Sequence, residues 1–215
     1  MKNSVSVIAA YLDDALAELA RVQAGPPSQA AMSTCQALYE TQRLNGNLVQ
    51  LMAIFKLDEG MYPFEPVDVP LQEFAQEVLD RVRPLARLKG LEVRHECEGD
   101  LSTWIFDRDL VTSVVVQSMF NAVRYARTTL TLSLRTRDGQ LGIEVADDGE
   151  GFPPFMLEQG FATKQGIDTR TGSTGLGLYF SRLAAGLHRH GEATGTTQLS
   201  NGGPLGGGRF VILLP

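Results

Sequence analysis

Two glycine-rich segments carry the residue types best suited to hold a charged ligand. The first, Asp147-Asp148-Gly149-Glu150-Gly151-Phe152, follows alternating apolar residues and therefore lies where a strand ends. The second, Gly172-Ser173-Thr174-Gly175-Leu176-Gly177-Leu178, runs into a helix. Of the 22 glycines, 17 fall from Gly139 onward, so the backbone here suits tight turns and close approach of a ligand.

Glycines before a helix allow unpaired backbone amides to face a phosphate, and the helix dipole adds attraction for its negative charge. Each glycine segment taken alone is equally well explained as a turn. The two segments together predict an anion-binding gap between a strand end and a helix start.

The first sixty residues predict two helices that pair as a hairpin. Helix one has apolar residues spaced alternately by three and four, and helix two, which Ser28 caps after Gly25-Pro26-Pro27, repeats that spacing in its later part. These seam residues are Val5, Ile8, Leu12, Ala15, Leu19 and Val22, then Leu44, Leu48, Leu51 and Phe55. Two helices alone cannot bury an apolar surface that faces two sides. We therefore expect a four-helix bundle made by two chains. The alternative is packing on the rest of the same chain, and Gly46 weakens either arrangement slightly.

Prolines 63, 66 and 70 predict a linker at about 60–70, which divides the chain into residues 1–60 and 61–215. Beyond it we expect a helix over 71–88, strands at 91–97 and 103–106, and a helix capped by Asp107 that runs to about 126. Two strands joined by an Asp138-Gly139 turn, a helix over 174–187 and two closing strands follow. The pattern predicts an α+β sandwich, with helices on one face of a mixed, mostly antiparallel sheet.

Composition excludes several other classes of protein. No apolar run approaches the roughly 20 residues of a membrane span, and no signal peptide is evident, so we expect a soluble chain. Cys35 and Cys97 lie far apart without metal-ligand spacing, which favours free thiols in the cytoplasm. The net charge of −6 argues against nucleic-acid binding but leaves room for a locally positive ligand site.

The two glycine segments follow an asparagine-bearing helix, Gln117 to Ala126, and this order resembles the ATP-binding domain of sensor histidine kinases. That domain belongs to the superfamily that includes DNA gyrase, Hsp90 and MutL, whose nucleotide-binding fold is of the Bergerat type. The resemblance covers about residues 67–215. It implies an enzyme of histidine-kinase type, with ATP and Mg²⁺ as cofactors.

Position by position, the resemblance implies that Asn121 coordinates magnesium, for which a carboxamide oxygen is a suitable hard ligand. Asp147 would accept a hydrogen bond from the adenine amino group, which guanine lacks at that position. The remaining implied nucleotide contacts are Arg124 and Tyr125, Gly149 and Gly151 beside the base, and Thr174, Gly175, Leu176 and Gly177 beside the phosphates. In the long loop from Phe152 to Thr171, which resembles the mobile ATP lid, they are Phe161, Thr163 and Lys164. Lys164 is equally well explained as a solvated loop charge.

Gln117 departs from the hydrolytic members of the superfamily, which have a glutamate here that activates water. Glutamine is no general base, so direct hydrolysis of ATP is not expected. Phosphoryl transfer to another nucleophile, which depends mainly on positioning and charge stabilisation, stays open.

Helix one resembles the family's dimerisation and phosphoacceptor helix, in a register that places the acceptor histidine two residues before Met1. Asn3 would then help to orient water for dephosphorylation, or else it is a helix cap. The histidines that are present, His95, His188 and His190, are expected to be structural or on the surface. We therefore expect either part of a longer kinase or a variant that does not phosphorylate itself.

The leading interpretation is the Mg-ATP-binding catalytic core of a two-component sensor histidine kinase. It would form a homodimer and pass phosphate to a histidine missing from this chain, and then to a response regulator. The alternative is a catalytically incomplete scaffold that docks a response regulator or pairs with an intact kinase. A serine kinase of the anti-sigma type is disfavoured because that class lacks the hairpin.

Overall fold

Two long helices in contact begin the computed structural model, which describes residues 2–22, 28–98, 102–159 and 176–215. Helix α1 covers Lys2–Val22 and helix α2 covers Gln29–Asp58. Ser28 caps α2 as predicted, because its hydroxyl oxygen accepts a hydrogen bond from the Ala31 amide at 3.2 Å.

Helix α2 has two apolar faces. One face packs on the rest of the chain, and its buried residues are Ala31, Cys35, Leu38, Tyr39, Ala53 and Ile54. The other face contains the predicted seam, in which Leu44, Leu51 and Phe55 are each more than half exposed. In helix α1, Ile8 is also exposed, whereas Leu16, which lies outside the predicted seam, is buried. Helix α2 thus packs on the rest of the chain through one face and leaves Leu44, Leu51 and Phe55 of the seam exposed, whereas Leu12 of the α1 seam packs against the core.

The segment after α2 contains a strand that the sequence analysis did not predict. Strand β1 covers Pro66–Pro70 and pairs antiparallel with β3, which covers Thr103–Asp107. Prolines at both ends of β1 are tolerated because this two-stranded ribbon leaves one edge of the strand unpaired. Helix α3, Leu71–Leu88, follows directly and ends before Gly90, whose φ of +69° terminates it as expected.

A five-stranded sheet forms the centre of the fold, in the order β2-β4-β5-β9-β8. Strand β2 pairs parallel with β4, and the other three pairings are antiparallel, which confirms the mixed, mostly antiparallel sheet. The strands are β2 Glu92–Cys97, β4 Thr129–Arg137, β5 Gln140–Asp147, β8 Thr196–Asn201 and β9 Gly208–Leu214. Asp138 and Gly139 join β4 to β5 in a tight turn with both φ angles positive.

Helices α3, α4 and α6 pack on the sheet, and the fully buried residues of β4, Leu130, Leu132 and Leu134, belong to this core. Helix α4 covers Arg108–Tyr125 and α6 covers Leu176–Leu187. As predicted, Asp107 caps α4, accepting from the Leu110 amide at 3.0 Å. The α+β architecture with N-terminal helices is confirmed.

Three short elements were not predicted. Helix α5, Pro154–Gln159, lies inside the segment expected to be a continuous loop, and Pro154 favours its start because proline is preorganised for a first helical position. Strands β6, Arg189–His190, and β7, Ala193–Thr194, form a small hairpin after α6. Within the described ranges, no helix combines the length and the apolar character that a membrane crossing requires.

Candidate functional site

Asp147 ends strand β5 and is the carboxylate around which the candidate site is built. Only 8% of the residue is exposed, and its Oδ1 accepts hydrogen bonds from the amides of Gly149 at 2.8 Å and Gly208 at 3.3 Å. Two backbone amides thus fix Oδ1, and Oδ2 has no hydrogen-bond donor among the described residues.

The environment of Asp147 sets its protonation. Burial raises the pKa of its carboxyl, while the amides of Gly149 and Gly208 oppose this change by stabilising the ionised form. The neighbouring charge of Asp148 raises the pKa further. A desolvated carboxylate is a strong acceptor for a ligand N–H group, because little water competes for it.

Glycines are required around Asp147 for steric reasons. A Cβ atom on Gly149 would lie 2.3 Å from the Tyr125 carbonyl oxygen, and one on Gly207 would lie 2.5 Å from the Asp147 carbonyl oxygen. Gly151 has a φ of +82° and lies against the Asn201 side chain, which bonds the backbone of Phe152. The glycines thus pack the strand end against α4 and the start of β9.

Asp148 braces the same strand end. Its carboxylate accepts hydrogen bonds from the amides of Arg127 and Thr128 and from the Thr128 hydroxyl. Burial raises the pKa of Asp148, but the hydrogen bonds from Thr128, Thr129 and Arg127 outweigh it and hold the pKa well below its usual range. The Asp148 carboxylate, which follows β5, thus bonds the residues that precede β4. Its role is to position the end of β5.

Helix α4 carries four of the predicted site residues along one side. Gln117 is half-buried, while Asn121, Arg124 and Tyr125 are exposed. The Tyr125 carbonyl, in contact with Gly149, places the end of α4 beside Asp147. The Arg124 guanidinium lies 5.3 Å from the centre of the Tyr125 ring and also interacts with the Tyr39 side chain of α2.

The start of helix α6 lies against the same helix. A Cβ atom on Gly177 would be 3.7 Å from Cγ of Gln117, so the first turn of α6 faces the middle of α4. The first amides of a helix have no partner within it and attract anions. Leu176 packs on the hydrophobic core and anchors this turn. The other predicted contacts, Phe161, Thr163, Lys164, Thr174 and Gly175, lie outside the described residues.

These groups together fit a nucleotide with a bound metal ion. Asp147 could supply an acceptor for a base, the start of α6 could supply amides for phosphates, and the Asn121 carboxamide of α4 could hold a metal ion. In the part of the chain that the structure describes, no group of three or more histidines, cysteines or acidic residues could hold a metal ion alone. Mg²⁺ commonly takes phosphate oxygens and water among its ligands, to which Asn121 could add a carboxamide oxygen.

Residues 106–215, more than half of the chain, match the family model described as histidine kinase-, DNA gyrase B-, and HSP90-like ATPase. The chain belongs to this ATPase family. The match begins at the end of β3 and includes α4, the Asp147 strand end and α6. It confirms the resemblance on which the ATP-binding assignment was based.

The relatives within this ATPase family are sensor kinases. The chain is 28% identical over 190 residues to a probable sensor histidine kinase of Mycobacterium tuberculosis, covering 88% of this chain and 48% of the relative. It is 36% identical over 99 residues to the sensor histidine kinase CpxA of Escherichia coli, covering 44% of this chain and 20% of CpxA. The chain thus spans about half or less of the length of these two curated relatives.

Solved structures show the same fold. The histidine kinase AdeS of Acinetobacter baumannii superposes with a TM-score of 0.63 at 16% identity, covering 98% of this chain and 96% of that one. The catalytic domain of the histidine kinase ThkA gives a TM-score of 0.59 at 20% identity, covering 70% of this chain and 95% of that one. These likenesses show the fold, and the family match shows an ATP-binding ATPase domain, which the curated relatives carry as sensor histidine kinases.

Sequence reasoning missed residues that hold the site together. Gly207 donates its amide to the Asp147 carbonyl at 3.1 Å, and Gly208 donates to Oδ1, but neither residue was predicted to contact the site. The run of three glycines, Gly206 to Gly208, was a signal for close approach. Nothing in the sequence indicated that Gln50 of α2 would lie near the start of α6.

Proposed function

We propose that this chain binds Mg-ATP and serves as the catalytic core of a two-component sensor histidine kinase. The observation that carries the proposal is Asp147, which is buried at a strand end with Oδ1 fixed by two amides and no donor on Oδ2 among the described residues, so that Oδ2 would accept from an adenine amino group. Asn121 would hold Mg²⁺, and the start of α6 would face the phosphates. Arg124 and Tyr125 would line the nucleotide.

The bound metal ion would neutralise charge on the phosphates during transfer. The chain supplies positioning, because Gln117 beside Gly177 is no base that could activate water. The γ-phosphate would pass to a histidine absent from this chain and then to an aspartate of a response regulator. The free thiols Cys35 and Cys97 are consistent with action in the cytoplasm.

The chain is proposed to act as a homodimer through the helical hairpin. On the seam face of α2, Leu44, Leu51 and Phe55 are exposed, whereas the other apolar face packs on the ATPase domain. A face of this kind is buried when two hairpins form a four-helix bundle. Residues 1–60 would form the dimerisation unit and residues 61–215 the ATP-binding domain.

The phosphoryl-transfer step is tested by an N-terminal extension that places His-Asp before Met1 and by a matched Ala-Asp extension. After incubation with Mg²⁺ and ATP labelled at the γ-phosphate, we expect acid-labile, alkali-stable label on the histidine version only. Such label on the unextended chain would contradict the assigned register, and its absence from both extensions would contradict the transfer. A scaffold that needs no nucleotide would bind no ATP at all.

A further inference from the structure

Gln50 of helix α2 is a buried polar residue with an unexplained environment. Only 2% of the residue is exposed, and its Oε1 has no hydrogen-bond partner among the described residues. A buried polar atom without a partner is destabilising, so native proteins keep such atoms rarely and usually for a ligand or water. The dimer seam does not account for Gln50, since Gln50 is buried against its own chain whereas Leu51 and Phe55 are exposed.

The position of Gln50 connects it to the candidate nucleotide site. Its Oε1 lies 3.8 Å from where a Cβ atom on Gly177 would be, at the start of α6. One turn earlier on α2, Gly46 faces Gln117, whose Oε1 would be 3.0 Å from a Cβ atom there. Helix α2 therefore places Gly46 against Gln117 and Gln50 against Gly177. Gln117 and Gly177 lie at the proposed phosphate end of the site.

A cavity of about 840 Å³ lies beside these residues, between the hairpin and the ATPase domain. Gln50 and Gln117 both line it, together with the carboxamides of Gln42 and Asn45, whose oxygens are also buried without partners in the described ranges. The cavity is large enough for ordered waters, and the carboxamides on its wall offer them hydrogen bonds. Among the described residues the cavity is lined by α1 to α4 and not by α6, so what links Gln50 to the phosphate end is its proximity to Gly177, beside which Gln117 also lies.

We propose that Gln50 is a nucleotide-binding residue that the hairpin contributes to the ATPase domain, and that it contacts the terminal phosphate of ATP. The inference rests on the proposed ATP-binding function. A carboxamide can donate to a phosphate oxygen and accept from a water bound to the metal, so the γ-phosphate with its hydrated metal satisfies both ends of the group. ADP lacks that phosphate and leaves Gln50 without a partner. The hairpin thereby distinguishes ATP from ADP.

The test compares two affinities in the presence of Mg²⁺, one for a non-hydrolysable ATP analogue and one for ADP. The variant is Gln50→Met, which keeps the length of the side chain and removes its hydrogen-bonding groups. Gln36→Met is the matched control, because Gln36 is an exposed glutamine on the same helix whose side chain bonds its neighbour Glu40. We expect Gln50→Met to weaken analogue binding about tenfold, the effect of losing one hydrogen bond to a charged group. ADP binding should stay within about twofold.

Equal weakening of both ligands would show a structural role for Gln50 and would overturn the inference, as would unchanged binding of both. If the unaltered chain binds neither nucleotide, the proposed function itself fails, and the inference fails with it. Thermal unfolding without nucleotide checks the fold: Gln50→Met should match or exceed the unaltered chain, because it removes an unpaired polar atom. Gln50→Ala gives a second variant for the same two affinities if methionine disturbs the packing.

Discussion

Glycine at position 149 is required by the backbone of a neighbouring helix. A Cβ atom at this position would lie 2.3 Å from the Tyr125 carbonyl oxygen, and backbone atoms cannot move aside as a flexible side chain can. The contact matters for binding because it sets the distance between the end of α4 and Asp147. A methyl group here should therefore affect both stability and the nucleotide site.

We predict that Gly149→Ala lowers the free energy of unfolding by about 1–3 kcal/mol, as overpacking does, and weakens ATP binding. Gly186→Ala is the matched control, since a Cβ atom on Gly186 would meet nothing within 4 Å and the residue lies within helix α6. That change should raise the free energy of unfolding by about 0.5–1 kcal/mol through helix propensity. Urea unfolding measures the stability of each variant, and ATP titration measures its nucleotide affinity. Equal effects of the two substitutions would refute the steric argument.

At the residue scale, sequence patterns predicted caps and turns well because these depend on local chemistry. Ser28, Asp107 and the Asp138-Gly139 turn have the predicted roles. The partners of Asp147 could not be predicted in this way, because Gly208 follows it by 61 positions and meets it only through the pairing of β5 with β9. The roles of Asn121 and Asp147 as nucleotide ligands stay predictions.

His188 connects several elements just after helix α6. Its Nε2 accepts a hydrogen bond from the Asp107 amide at 2.9 Å, and its Nδ1 bonds the Ala184 carbonyl at 2.8 Å. The ring also meets Phe64 edge-on, with ring centres 5.0 Å apart. Because Nε2 must accept while Nδ1 donates, the folded structure uses the neutral ring. The expectation of a structural histidine is thereby supported at this position.

Burial lowers the pKa of His188, against the opposing effects of the Ala184 carbonyl and the Asp107 charge. The unfolded chain, with a histidine pKa of about 6.5, then binds more protons than the folded chain just below that pH. Stability should therefore fall as the pH drops below about 6.5 and continue to fall until the depressed folded pKa is passed. His95, whose pKa burial also lowers, contributes in the same direction.

We expect the free energy of unfolding to fall between about pH 7.5 and pH 5.5, and to fall less in His188→Gln than in the unaltered chain. The exposed His190 provides the control, because His190→Gln should retain the full decrease. Urea unfolding at both pH values measures the three proteins. An identical decrease in all of them would contradict the assigned role of His188.

At the element scale, long periodic segments were predicted reliably, since apolar spacing reflects which face is buried. The helix over 71–88 and the hairpin of β4 and β5 are confirmed. Strand β1 was not predicted, because its prolines and short length resemble a linker and its pairing with β3 is a long-range contact. Helix α5 was missed for a related reason: six residues give too little periodicity to recognise.

The whole molecule combines an ATPase domain with a hairpin in which α2 has one face packed on the chain and one face with exposed apolar residues. Apolar spacing alone could not decide between packing on the same chain and dimerisation, because α2 presents apolar residues on both faces. In the structure, one face of α2 packs on the same chain, and the apolar residues of the other face are exposed. The proposed dimer would use the face that contains Leu44, Leu51 and Phe55.

We predict that Leu51→Glu converts a dimer into a monomer of 23.4 kDa, because it places a charge in the centre of the proposed apolar interface. Lys56→Glu is the control, as Lys56 is exposed on α2 but lies off the seam. Light scattering after size exclusion gives both masses. A dimeric Leu51→Glu, or a monomeric unaltered chain at high concentration, would contradict the seam as the interface.

The central claim is that Asp147 selects ATP, and calorimetric titration of ATP and GTP in the presence of Mg²⁺ tests it most directly. The amides of Gly149 and Gly208 hold Oδ1, so in Asp147→Asn the carboxamide NH₂ would replace Oδ2 and face the adenine amino group, donor against donor. The exposed Asp68→Asn on β1 provides the same chemical change away from the site. We predict that the unaltered chain and Asp68→Asn bind ATP in preference to GTP, and that Asp147→Asn loses at least about tenfold in ATP affinity. Equal ATP affinity in all three proteins, or binding by none of them, would contradict the account.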